Sequence, residues 1–106
     1  MTQPSRVFLY AEFQVSMPFS EGVWRETNPA MHTVPGLRSK TWLSGINTHS
    51  VGGFYEFDSV QNARAYAVGM LADFAKAADA SLTVKLFDGE VVADASKGMH
   101  SPYFTN

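Results

Sequence analysis

The sequence predicts an α+β fold, a four-stranded antiparallel sheet with both helices on one face, and three observations carry it. A stretch rich in β-branched and aromatic residues opens the chain, Lys40–Asp58 is patterned as a β-hairpin, and a long segment after it carries an apolar stripe at helical spacing. In chain order the elements read strand, helix, strand, strand, helix, strand. Short, right-handed connections turn that order into a ferredoxin-like βαββαβ sheet whose second and fourth strands are the edges.

The 106 residues suit one domain, with a core over 6–88 and a tail over 89–106. A net charge of −2 and scattered Lys and Arg give no basic footprint, so nucleic acid is not an expected partner. The absence of cysteine removes disulfides, thiolate metal sites and iron–sulfur clusters. No apolar run approaches membrane-spanning length and the N-terminal stretch lacks a secretory pattern, which makes a cytoplasmic, non-membrane protein the expectation.

Arg6 to Val15 reads as the first strand, with Val7, Leu9, Ala11, Phe13 and Val15 on one face and Phe8, Tyr10, Glu12 and Gln14 on the other. A turn with Pro18 follows, then a helical region from Ser20, its cap, to Val34. Asn28-Pro29 should break or kink it, because a residue before proline is biased away from helix. Pro35-Gly36 leads into the second strand, Leu37–Ser44, with Lys40, Trp42 and Ser44 on one face. The third strand, Val51–Phe57, sets Gly53, Tyr55 and Phe57 against Gly52, Phe54 and Glu56, and Gly52-Gly53 marks a bulge or a close backbone approach. Asp58 or Ser59 caps the second helix, with Gln61 as a capping-box partner if Asp58 is the cap. Val60, Ala63, Ala67, Met70, Phe74 and Ala78 form its apolar stripe. Leu82–Phe87 is the fourth strand. The tail beyond it is too apolar, at Val91, Val92, Met99, Tyr103 and Phe104, to lie free in solvent.

Strands apolar on both faces, with helices on only one, need a second cover. Two sheets packed face to face supply it, giving a homodimeric α+β barrel; burial at roughly 25 cal/mol per Å² favours that dimer over a monomer.

Pro18-Phe19, Pro35-Gly36-Leu37, Lys40-Thr41-Trp42, the string Gly52 to Asp58, Ala63-Arg64-Ala65-Tyr66 and Val84 to Asp88 together resemble the YdhR-type monooxygenase family of the dimeric α+β barrel superfamily, which also holds the antibiotic-biosynthesis monooxygenases. The resemblance is strongest from Pro35 to Asp88 and does not extend into the tail. It implies a homodimer with a mostly apolar pocket between sheet and helices in each subunit. It further implies oxidation of a small aromatic or polyketide-like compound by molecular oxygen, with no flavin, haem or metal cofactor. The same pocket would also serve a cyclase or isomerase, or a non-catalytic ligand-binding dimer.

Within that frame Tyr10, Trp42, Tyr55, Tyr66, Lys40 and Lys85 are the candidate substrate-binding residues. Each aromatic has a packing role as its alternative, and each lysine a solvated edge position. Glu12, His32 and His49 are the candidate proton acceptors. Glu12 stands mid-strand, where burial would raise its pKa, although a cross-sheet ion pair to Arg38, Lys40 or Lys85 explains it equally well. The three histidines, His100 included, lack metal-ligand spacing, so no metal site is expected.

Overall fold

A computed structural model describes residues 3–15 and 21–104, except the side chains of residues 21–24. The elements are β1 (Val7–Gln14), α1 (Glu21–Met31), β2 (Leu37–Ser44), β3 (Ser50–Phe57), α2 (Val60–Tyr66), a π-helical turn (Ala67–Leu71), α3 (Ala72–Ala78), β4 (Ser81–Asp88), α4 (Ala93–Gly98) and a 3₁₀ turn (Pro102–Phe104). The strands pair antiparallel in the order β2-β3-β1-β4, the expected ferredoxin-like topology with β2 and β4 at the edges. Alternation sends Val7, Leu9, Ala11, Tyr55 and Phe57 into a core with Met31, Ala63, Tyr66 and Leu71 from the helical side.

Four local features either differ from the sequence-based expectation or decide between alternatives it left open. First, α1 is one helix through Asn28-Pro29 that stops at Met31 rather than Val34. Pro29 sits in its last turn, where few backbone bonds remain to be lost, and Thr33 closes the end by donating from both its N–H and its hydroxyl to the Ala30 carbonyl. The proposed Ser20 cap and Pro18-Phe19 turn fall outside the described residues.

Second, the cap of α2 is Ser59, whose hydroxyl accepts from the Asn62 N–H at 3.1 Å; Asp58 instead accepts from the Asn62 side-chain amide at 2.8 Å. Gln61 is therefore not the partner in a capping box. Third, the π-helical turn adds a residue and rotates the rest of the rod. Leu71, its last residue, and Ala75 beyond it are buried, whereas Phe74, 38% exposed, and Ala78 have swung out of the expected stripe.

Fourth, β3 is unbroken and the irregularity lies in β2, between Leu37 and Ser39. Gly52 is a close-approach position: a Cβ there would lie 1.9 Å from the Ala11 carbonyl oxygen of β1.

The tail folds back onto the sheet face opposite the helices. Tyr103 packs at 5.5 Å from Phe8 and 5.2 Å from Phe54, Phe104 packs at 5.9 Å from Phe8, and the Tyr103 hydroxyl pairs with that of Thr41 at 2.8 Å. Arg6 lies over the Phe104 ring at 4.6 Å. Val91, Val92 and Met99 stay exposed, so the cover predicted for the tail reaches only its last aromatic pair. On the same face Glu56 is buried and paired with Arg38 at 3.4 Å and Arg6 at 3.8 Å.

The Gly52 contact is with backbone, which no side-chain rotation relieves. Gly52→Ala should lower stability in urea unfolding by about 1–3 kcal/mol or more. Val68→Ala, at a 78% exposed position, should change it by less than about 0.5 kcal/mol.

Candidate functional site

Period-two alternation along β2 turns Lys40 and Trp42 toward the helices. The antiparallel register places Tyr55 of β3 across from Lys40 and Gly53 across from Trp42. On the facing helix, Asn28 and Met31 share one side of α1, three residues apart, and His32 follows directly after its end. Between them lies a cleft of about 300 Å³ lined by Asn28, Met31, His32, Leu37, Lys40 and Trp42, with Arg38 and Ser39 at its edge.

The Trp42 indole N–H donates to Asn28 Oδ1 at 2.9 Å, which fixes the ring as one wall. The Lys40 ammonium lies 3.3 Å from the Trp42 ring centroid and 4.9 Å from that of Tyr55, and it points at Met31 Sδ at 3.8 Å. Among the described residues no carboxylate comes within ion-pair distance of it. Burial lowers its pKa from 10.5 to about 8. Aromatic faces are what hold the charge.

Room for this arrangement comes from Gly53. A Cβ there would stand 2.9 Å from Tyr55 Cζ and 3.0 Å from Lys40 Cε, so bare backbone lets the lysine stem and the phenol ring share the space. Beneath them the Tyr66 hydroxyl sits 3.2 Å from that of Tyr55 and 3.6 Å from Met31 Sδ. Burial raises the pKa of both phenols, with the neighbouring Tyr66 adding to the effect at Tyr55, so both stay protonated at neutral pH.

Of the residues singled out from sequence, Lys40, Trp42, Tyr55 and Tyr66 converge here, with His32 exposed at the rim. Lys40 is half-buried rather than solvated. Tyr10, Glu12 and Lys85 lie together on the opposite face of the sheet. There Glu12 accepts from the Tyr10 hydroxyl at 2.5 Å instead of pairing with Arg38, Lys40 or Lys85. That bond, then burial, then the Glu12 charge, raise the Tyr10 pKa. Lys85 is exposed, and so is His49, which sits in the hairpin loop at φ 51. Sequence reasoning passed over Asn28 and Met31; their spacing of three residues was the available signal.

The sequence model of the family described as "Putative mono-oxygenase ydhR" matches residues 8–102 of this chain. The chain belongs to that family. No curated protein matches it significantly. Among solved structures, a point mutant of SnoaB, a cofactor-independent oxygenase from Streptomyces nogalater, superposes with a TM-score of 0.57 at 18% identity, covering 78% of this chain and 91% of that one. At that identity the likeness shows a shared fold. Among the described residues of this YdhR-type chain no cluster of three His, Cys, Asp or Glu is placed to hold a metal, and no helix is long and apolar enough to cross a membrane.

A half-buried ammonium with no carboxylate beside it among the described residues weakens the fold. Because the Lys40 pKa is lower folded than unfolded, the unfolded chain binds that proton more tightly. The penalty is complete below about pH 8 and fades as pH rises toward 10.5. Lys40→Met should therefore stabilise this YdhR-type protein near neutral pH, by about 1–2 kcal/mol after discounting for solvent that still reaches the group. In urea unfolding the gain should shrink steadily between about pH 8 and pH 10.

Proposed function

We propose that this YdhR-type protein is a cofactor-independent monooxygenase that binds a small, flat aromatic or polyketide-like compound in the cleft between α1 and β2. The observation that carries the proposal is Lys40, a cation half-buried on aromatic faces with no carboxylate partner among the described residues. Such a group is retained at a cost in stability, and a substrate anion is the natural complement to its charge.

Trp42, held by Asn28, offers a face on which a planar ring stacks. A neutral Lys40 amine accepts the acidic proton of an anthrone-like or hydroquinone-like substrate, and the resulting ammonium stays beside the enolate or phenolate it has created. His32 at the rim is the second candidate acceptor. Glu12 and His49, lying away from the cleft, have no direct part in this scheme.

The electron-rich anion then reduces dioxygen directly. One electron passes to oxygen, the two radicals combine into a carbon-bound peroxide, and its O–O bond breaks with loss of water. For a reacting CH₂ group the balance is CH₂ + O₂ → C=O + H₂O: one oxygen atom enters the product and the other leaves as water. The protein's contribution is binding, deprotonation and orientation.

Homodimerisation completes the proposal. Leu43 and Phe87, 37% and 47% exposed on the face opposite the helices, continue the apolar surface that the tail covers only in part, and a second copy of the sheet would cover the rest.

The test is oxygen uptake by purified, metal-free protein against hydroquinones, anthrones and catechols. Uptake should exceed autoxidation and kcat/KM should rise as pH passes through about 8. Lys40→Met should lower it by about 100-fold, while Glu12→Gln leaves it within about twofold. No uptake on any of these compounds, or uptake indifferent to Lys40→Met, would overturn the proposal; turnover without oxygen would assign the cleft to proton-transfer isomerisation or cyclisation.

A further inference from the structure

We propose that Met31 is an oxidation site built into the cleft, where a hydroperoxide held against Trp42 converts it to the sulfoxide and Lys40 and Tyr66 capture the new oxygen. Met31 is 6% exposed and nevertheless lines the cleft, so a reagent reaches this side chain by way of the cleft and hardly from bulk solvent. Two donors already converge on it, the Lys40 ammonium at 3.8 Å and the Tyr66 hydroxyl at 3.6 Å. A thioether is a weak acceptor and makes little use of either. A sulfoxide oxygen is a strong one, and the Tyr66 proton now shared with Tyr55 would turn to it.

The step balances without a further reagent. The sulfur lone pair attacks the distal peroxide oxygen, the O–O bond breaks and an S–O bond forms. Sulfur loses two electrons, the peroxide leaves as its alkoxide, and the hydroxyl proton passes to that alkoxide to give the alcohol. The oxidant is an organic hydroperoxide small enough for the cleft. Only its origin inside the cleft, as a peroxide escaping breakdown, rests on the monooxygenase reading.

The consequence is a self-limiting site. Once the sulfoxide oxygen pairs with Lys40, the ammonium is no longer open to a substrate anion, and a polar group stands where the cleft floor was apolar.

The experiment needs no turnover. The full-length protein is treated with cumene hydroperoxide or with hydrogen peroxide, and sulfoxide at Met31 and at Met99, which is 80% exposed, is measured by peptide mass spectrometry. The Met31-to-Met99 ratio should be at least about fivefold higher with the aromatic hydroperoxide, and Trp42→Phe should reduce that preference. In the oxidised protein, acetic anhydride should label Lys40 severalfold more slowly than before oxidation. Met31→Leu, treated identically, should show no such change. Equal ratios for the two peroxides, Met31 left unmodified while Met99 is fully oxidised, or unchanged labelling of Lys40 would each overturn the proposal. All three readouts stay interpretable even if no substrate supports oxygen uptake.

Discussion

The register between β2 and β3 is the constraint on which the cleft depends. It sets Lys40 against Tyr55 and Trp42 against Gly53 on the helical side of the sheet. A slip of one residue would carry the ammonium and the indole to the opposite face and put Thr41 and Leu43 in their place. Register here is held by two glycines in different ways. Gly52 lets β3 approach the β1 backbone where any larger residue would collide with the Ala11 carbonyl oxygen, and Gly53 leaves the volume that Tyr55 and the Lys40 stem fill. The pair fixes the strand and hollows the site in adjacent residues.

Much of this was legible in the sequence, because it depends on period and order. Alternation in Lys40–Asp58 assigned the faces of the hairpin correctly, and the strand–helix order carried the topology. The cleft was half legible. Lys40, Trp42, Tyr55 and Tyr66 stand on elements whose orientation a pattern can predict, whereas Glu12 and Lys85 share a face that turns away from the helices. A chemically attractive residue type says nothing about whether its side of the sheet holds the site: period-two counting already set Glu12 on the face opposite Leu9 and Ala11, and the cleft lies on the other side.

What could not be read was geometry created by tertiary context. Nothing in Ala67–Leu71 distinguishes a π turn from ordinary helix, since these residues satisfy helical propensity equally well in either form. Asn28 looked like a helix breaker through its neighbour Pro29; in the fold its amide oxygen is the acceptor for an indole on another element. The charge state of Lys40 depends on burial from two sides, which no local pattern encodes. Its retention fits a common theme, in which a local departure from the most stable arrangement marks where ligand chemistry is placed.

The π turn also defines the phase of the rod formed by α2 and α3. The rod carries two candidate apolar rows, one continuing Met70 through Phe74 and Ala78, the other Leu71 and Ala75, and the single inserted residue selects the second. The rejected row lies beside a shallow surface depression formed by Gly69, Met70, Asp73, Phe74 and Ala77. Helical phase thus works as a switch between two hydrophobic alphabets written into one segment. The same residues wound as unbroken α-helix would spell the core with Phe74, a ring in place of a methyl group, and volume would have to be redistributed throughout the layer between rod and sheet.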